Sequence, residues 1–563
     1  MLMTSRWGQD EMTYYLRTDE GDRYRLAFCD GLALQDLAPN TRVTVQYQNA
    51  TDGVLDTCQL PVVEGRRRRL FSGSIAPPLR PTFLVYITTL CNSAGEAAAS
   101  VEDVQNLFNN NGGKSVASYY DTCSSGQVTV DPSQLKVVGP IRIPCSGSVP
   151  GVGSFVSTSC DNDNMINWHS YLDVQARAQG IVPTDYNHKI MILPRGFPNG
   201  ISGCGASVGS SSVGPWLRTL SAKNNWGTGL VWINGDSFAA GDIEILFHEM
   251  GHNMMMAHAN IPGNCGSDGN DQCDNTCPMG AAGGQGIRCL NAAHAWQLGW
   301  GQLSREFVDA DMGYGAAQPV QLPAQLSNSQ RAVSVTLGSQ PRFFIAARIN
   351  APPYDLPFTK ALNDKPFVLV HSYTGTPANQ YQRTFLLATL APGDRYTDAA
   401  SGLVVAFTAW SDGAGASATL CRRRGSREQV CGDGMDDDCD GLDDASDPDC
   451  QGRMNGEARA LSPPPPSPPP PPSRSTGTGD IEGGTTRRPP SPKGASSPPP
   501  PRPPPRPPSS PPPPSPPRKS PPPSPPPTAA AAIASTAAAP EKDHATTAAT
   551  AASSAAAASG VQC

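Results

Sequence analysis

Between Phe247 and His258 the chain reads Phe247-His248-Glu249-Met250-Gly251-His252-Asn253-Met254-Met255-Met256-Ala257-His258. Histidines four residues apart share one face of a helix, so His248 and His252 can turn two imidazoles toward one metal ion while Glu249 projects beside it. His258 follows ten residues after the first histidine and cannot share that face; the chain must turn back to bring it in. Three nitrogen ligands with an open fourth position describe a catalytic zinc, because the open position takes a water. The HExxH pattern by itself also occurs on amphipathic helices with two surface histidines. Its surroundings here favour the metal. Ile243, Ile245, Leu246 and Phe247 give the apolar approach of a buried helix, and past a glycine- and cysteine-rich loop stands Cys277-Pro278-Met279-Gly280.

A methionine in a tight turn shortly after HExxHxxxxxH is the mark of the metzincin zinc proteases. With Leu290-Asn291-Ala292-Ala293-His294-Ala295-Trp296-Gln297-Leu298-Gly299-Trp300, these motifs resemble the gametolysin family, the autolysins of volvocine green algae, over roughly residues 80 to 425. The resemblance implies an α/β metzincin-like catalytic domain, a twisted sheet plus helices. It implies His248, His252 and His258 on Zn2+, Glu249 as general base, and Met279 as a floor beneath the metal that does not ligate it. It also implies proline-rich or hydroxyproline-rich cell-wall glycoproteins as substrates. One position departs from the pattern. Metzincins carry glycine seven residues after the first histidine, where the helix ends in a left-handed turn, and this chain has Met255. A non-glycine residue there costs roughly 1–2 kcal/mol, so the turn is either strained or reached by another route.

At 563 residues the chain exceeds one ordinary domain, yet only 38% of it is hydrophobic and 59 residues are proline. A globular body with a disordered tail follows. A net charge of -7 leaves no basic footprint for nucleic acid, and no apolar run reaches the length of a membrane span. Sixteen cysteines suit disulfides made in an oxidising compartment, hence a secreted protein, and the resemblance implies the extracellular matrix or cell wall as its place. Met1 to Gly21 does not carry a recognisable signal peptide.

Residues 1–69 read as short strands, with Thr13–Arg17 and Arg42–Tyr47 alternating as half-buried strands do. They end at Arg66, Arg67, Arg68 and Arg69, a processing site at the border of a propeptide or else a solvated charge run. A thiolate from Cys29 or Cys58 could close the zinc's open position in a zymogen, although two cysteines in a small module more often pair. Residues 70–315 form the catalytic domain: strands at Thr82–Ile87, Ile190–Leu193 and Leu230–Asn234, helices at Ala97–Phe108 and Met165–Ala178. The strand near Trp232 is either the edge that pairs with a peptide substrate or an ordinary sheet strand. Cys265, Cys273, Cys277 and Cys289 crowd the loop around the third histidine, where disulfide staples are favoured over a second zinc site. His294 lies on an apolar helical pattern, with packing as its default role.

Residues 316–425 turn to β-patterns, as in Phe343–Ala347, Phe367–Val370 and Leu403–Phe407, and predict a β-sandwich-like domain. In 426–452, Asp436, Asp438 and Asp440 take the first, third and fifth places of a calcium loop. Gly441 takes the sharp-turn sixth, Leu442 the seventh, Asp444 the ninth and Asp447 the twelfth. Hard oxygen ligands suit Ca2+; a disordered acidic linker is the competing reading. Residues 453–563 are Pro-rich, then Ala-rich, and cannot build a packed core. The resulting expectation is a secreted zinc metalloendopeptidase. Its rival is a structural or adhesive proline-rich wall glycoprotein carrying a degenerate protease domain, against which the intact Glu249 and three histidines stand.

Overall fold

The computed structural model of the chain describes residues 2–6, 9–29, 32, 41–63, 80–91, 96–110, 113–196, 208–217, 221–263, 271–280, 286–362, 365–376 and 380–451. The arginine run Arg66–Arg69, Cys265 and the tail from residue 453 lie outside the described residues.

Strands buried on both faces read as unbroken apolar runs, because helices cover a parallel sheet on each side. Phe83–Leu90, His188–Ile192 and Gly229–Ile233 are of this kind, buried along almost every position. They run parallel, with His188 opposite both Phe83 and Gly229, and Leu135–Ile143 extends them on the far side of Phe83–Leu90. Alternate residues then face opposite layers. Phe83, Val85 and Ile87 pack with Tyr119, Tyr120, Phe247, Met250 and Trp300 on the metal-helix side. Leu84 and Tyr86 pack with Trp168, Leu172, Met191 and Trp232 under the long helix Asn162–Ala178 on the other. Trp232 thus belongs to an interior strand, so the edge reading of that strand is corrected.

The catalytic portion's own last strand is Gly209–Ser212, antiparallel to Gly229–Ile233. Its outer side is taken in turn by Leu2–Arg6, antiparallel, with Leu2 opposite Ser212 and Ser5 opposite Gly209. Gln9–Arg17, Arg23–Phe28, Val54–Thr57 and Asn49–Thr51 continue from there, giving a ten-stranded sheet. Residues expected to form a separate leader are therefore built onto the catalytic sheet. Of the stretch expected as a strand over Arg42–Tyr47, only Val43–Thr44 is one.

The β-rich region is two sheets face to face, as expected of a sandwich. The six-stranded sheet runs Ala259–Asn260, Thr384–Leu390, Phe367–Tyr373, Arg342–Arg348, Gln330–Thr336, Gln302–Val308; the four-stranded sheet runs Gln318–Leu322, Gly415–Arg422, Leu403–Ser411, Arg395–Thr397. Val335, Ile345, Val370, Val405, Phe407 and Leu420 fill the space between. Two strands arrive from before residue 316, where the region was expected to begin. Gln302–Val308 is one. The other is Ala259–Asn260, immediately after the third histidine, which pairs parallel with Thr384–Phe385.

Candidate metal centre

Ile243–Asn253 is the helix that carries the first two histidines, and Asp242 caps it by accepting from the Ile245 N–H at 3.1 Å. Asn253, the residue after the second histidine, pins the helix to the sheet. Its amide donates to Ser212 O at 2.8 Å and Leu230 O at 3.0 Å, and its Oδ1 lies 3.0 Å from His188 Nδ1. Gly229 gives Asn253 the room to do so, since a Cβ at that position would overlap the amide.

The helix then ends in the left-handed turn. Met256 N–H donates to Gly251 O at 3.1 Å and Met255 N–H to His252 O at 2.9 Å, the paired bonds of a Schellman cap. Met255 sits at φ 70° with its side chain buried. The turn is therefore made in the usual place and carries the strain of a non-glycine residue. It delivers His258, and the three imidazoles converge: one ring nitrogen of each lies within 4.8 Å of the others. His248 Nε2 and His252 Nε2 are 3.2 Å apart.

Each Nδ1 is engaged on the far side. His248 donates to Pro278 O at 2.7 Å, His252 to Met256 O at 2.9 Å and His258 to Asp271 Oδ1 at 3.0 Å. A ring that donates from Nδ1 turns its Nε2 lone pair to a metal, which is how outer partners select the tautomer. Burial, and then the neighbouring His258, holds His248 down to about 3; burial likewise holds His252 well below the ordinary histidine value. Neutral imidazoles crowded nitrogen to nitrogen are the donor set of a divalent cation, and three of them fit zinc with an open position.

Glu249 is buried beside them, and Ser211 Oγ donates to its Oε2 at 2.7 Å. Ser211 lies on the strand Gly209–Ser212, so the carboxylate is held against the sheet's antiparallel strand. Gly209 is required there, because a Cβ would collide with the Glu249 carboxylate. Met279 lies in a turn closed by Gly280 N–H to Cys277 O at 3.0 Å. It packs beneath the helix at Gly251, where a Cβ would come within 2.5 Å of the Met279 sulfur. Ala259 N–H donates to Met279 O at 2.9 Å, which ties this turn to the segment carrying His258.

The cysteines divide differently from expectation. Cys289 pairs with Cys123 and Cys273 is disulfide-bonded, but Cys277 is a buried free thiol that burial pushes up to about 12. Its sulfur lies 3.5 Å from His294 Nδ1, so it is packing, not a staple. Cys29 and Cys58 pair with each other, which removes the thiolate reading of the zymogen. In the acidic loop, Asp436, Asp438 and Asp440 are brought together, while Asp444 lies with Asp433 and Glu428, and Asp447 with Asp438 and Glu428. Leu442 is exposed. The sequence reading missed Ser211, Gly209, Asn253 and Asp271. Asn253 alone had a visible signal, a polar residue beside His252 at the end of a helix with an apolar approach.

The sequence profile described as Gametolysin peptidase M11 matches residues 82–398, which span the three histidines, Glu249, Met279 and most of the β-rich region. Autolysin from Chlamydomonas reinhardtii is 24% identical over 493 residues, covering 69% of this chain and 72% of that protein.

Proposed function

The chain belongs to the gametolysin peptidase family and is a metalloendopeptidase; on that premise we propose that it is a secreted, zinc-dependent enzyme that cuts proline-rich or hydroxyproline-rich proteins of an extracellular wall. His248, His252 and His258 would hold the metal. Zinc so bound supplies Lewis-acid polarisation of the scissile carbonyl and a more acidic water.

The remaining work falls to the chain. Glu249 takes the proton of the attacking water on its carboxylate and delivers it to the departing amide nitrogen, first base and then acid. Ser211 keeps that carboxylate in one rotamer through its hydroxyl. Strand Gly209–Ser212 runs beside Glu249 and suits an extended substrate, since strand addition holds a peptide backbone without reading its sequence. The disulfides Cys91–Cys145, Cys123–Cys289, Cys421–Cys439 and Cys431–Cys450 support export to an oxidising compartment.

The N-terminal segment is the propeptide of this scheme. Leu2–Arg6 pairs along the outer side of Gly209–Ser212, the side an incoming peptide would use, so the segment competes with substrate for the same backbone groups. Cleavage at Arg66–Arg69 would allow it to leave.

The observation that carries the peptidase reading is the convergence of three inward-turned imidazoles beside a buried carboxylate. Glu249→Ala tests it: the variant keeps wild-type zinc content and loses casein hydrolysis by roughly 10²–10⁴-fold, the span of general acid–base catalysis. Equal activity in both proteins would remove Glu249 from the mechanism.

A further inference from the structure

A second set of hard ligands stands apart from the histidine centre, in the module that follows the β-rich region. Two disulfides, Cys421–Cys439 and Cys431–Cys450, staple this module. Arg395 anchors it to the four-stranded sheet by donating to Cys439 O at 2.5 Å and to Asp440 O at 2.6 Å.

Its carboxylates fall into two kinds. Some are occupied by the loop's own backbone: Asp436 accepts from Asp440 N–H at 2.9 Å and Gly441 N–H at 2.8 Å, and Asp444 accepts from Gly432, Asp433 and Gly434. Asp437 accepts from Val430 N–H and pairs with Arg424 at 2.9 Å. The others converge although each also accepts one backbone N–H of the module, Asp438 Oδ1 from Asp440 at 3.2 Å. Glu428, Asp438 and Asp447 bring oxygens within 4.8 Å of one another. Glu428 is 2% and Asp447 3% exposed. One oxygen of each is used, Glu428 Oε2 by Asp437 N–H and Asp447 Oδ1 by Asp449 N–H. Their second oxygens, Glu428 Oε1 and Asp447 Oδ2, are buried with no hydrogen-bond partner among the described residues.

Leaving an ionised oxygen buried and unsatisfied is costly, and bringing like charges together adds to that cost. A cation between them removes both costs. We infer that Glu428, Asp438 and Asp447 bind one Ca2+, which closes the disulfide-stapled module against the β-rich region. Calcium is the ion of choice because it accepts several carboxylates in irregular geometry, whereas Mg2+ keeps most of its waters and fits poorly between two buried groups. The ligand set differs from a linear twelve-residue loop: Glu428 comes from outside that loop, and Asp436 and Asp444 shape the backbone.

The test uses the full-length, zinc-loaded protein and equilibrium dialysis with radioactive Ca2+ in excess Mg2+. Wild type and Asp443→Asn, an exposed neighbour outside the cluster, are expected to bind one Ca2+ per chain. Glu428→Gln and Asp447→Asn should each bind at least about tenfold more weakly, because ligand charge sets affinity in such sites. Zinc content and peptide hydrolysis of the same preparations report that the body is folded. Limited proteolysis supplies a second readout: Ca2+ should protect residues 426–451 in wild type and fail to do so in Glu428→Gln. The inference is overturned if wild type binds no Ca2+ at about 1 mM, the weak end of known calcium sites. It is equally overturned if Glu428→Gln binds as wild type does, or if only Asp436→Asn and Asp440→Asn abolish binding, which would return the ion to the linear loop.

Discussion

Of the three bonds that orient the candidate zinc ligands, two end on backbone carbonyls, Pro278 O and Met256 O, and no side-chain substitution removes them. The third ends on Asp271, and Asp271→Ala deletes it. His258 is 2% exposed, so water replaces the lost acceptor poorly and the ring is no longer held in the tautomer that presents Nε2. Another partner of Asp271, Arg383, has a side chain 49% exposed and can return to solvent at little cost. The effect should therefore concentrate on the metal. Outer-partner substitutions weaken metal binding by about 10–100-fold, or roughly 1.4–2.7 kcal/mol. Because this bond is buried and charge-assisted at 3.0 Å, the upper half of that range is expected. The assay is zinc competition against a chromogenic chelator, with activity measured separately at saturating zinc. Asp271→Ala should show the weakened affinity and recover most of its turnover at saturation, and Asp271→Asn, which keeps a neutral acceptor, should fall between. A folded Asp271→Ala protein that binds zinc as tightly as wild type would refute the argument that this carboxylate sets the third ligand.

Three other outcomes follow. At Met255, φ 70° and burial oppose each other: glycine relieves about 1–2 kcal/mol of strain but adds about 0.5–1 kcal/mol of chain entropy, and either truncation forfeits roughly 1.5–3 kcal/mol of burial. Urea midpoints should rank wild type above Met255→Gly and Met255→Gly above Met255→Ala, and the reverse order of the two variants would show that the turn is unstrained. Burial holds His188 down to about 4 and His294 to about 3, against about 6.5 in an unfolded chain. The unfolded chain then binds more protons in that window, so stability is full above pH ~6.5 and is lost as pH falls toward 4. Urea midpoints of the zinc-free chain between pH 7.5 and 4.5 check this, and a midpoint that rises on acidification would contradict it. Met3→Pro with Thr4→Pro takes two consecutive donors from Leu2–Arg6, of which one faces the partner strand. The uncleaved protein should gain activity on a small peptide several-fold, and unchanged activity would mean that the segment does not compete with substrate.

The chemistry of the centre was legible because it is local. Helical spacing puts His248 and His252 on one face whatever surrounds them, and the apolar run before them requires burial. The parallel strands were legible for a related reason: a segment buried on both faces has no polar side to show, and Phe83–Leu90 and Gly229–Ile233 do not. What spacing could not reach were positions fixed by partners distant in sequence. The left-handed turn at Met255 depends on packing that offsets its strain, and the sequence alone left two routes open. Asp271 reaches His258 across a loop, and Ser211 reaches Glu249 from a strand of glycine and serine that carries no apolar or charge pattern. Strand pairing lies furthest from local reach. A backbone edge has the same hydrogen-bonding groups for any sequence, so neither Leu2–Arg6 on Gly209–Ser212 nor Ala259–Asn260 on Thr384–Phe385 was written in residue types. In the acidic module the loop spacing pointed to a cation. Only the fold, by burying Glu428 next to Asp447 and committing Asp436 and Asp444 to backbone N–H groups, decided which carboxylates are left to hold it.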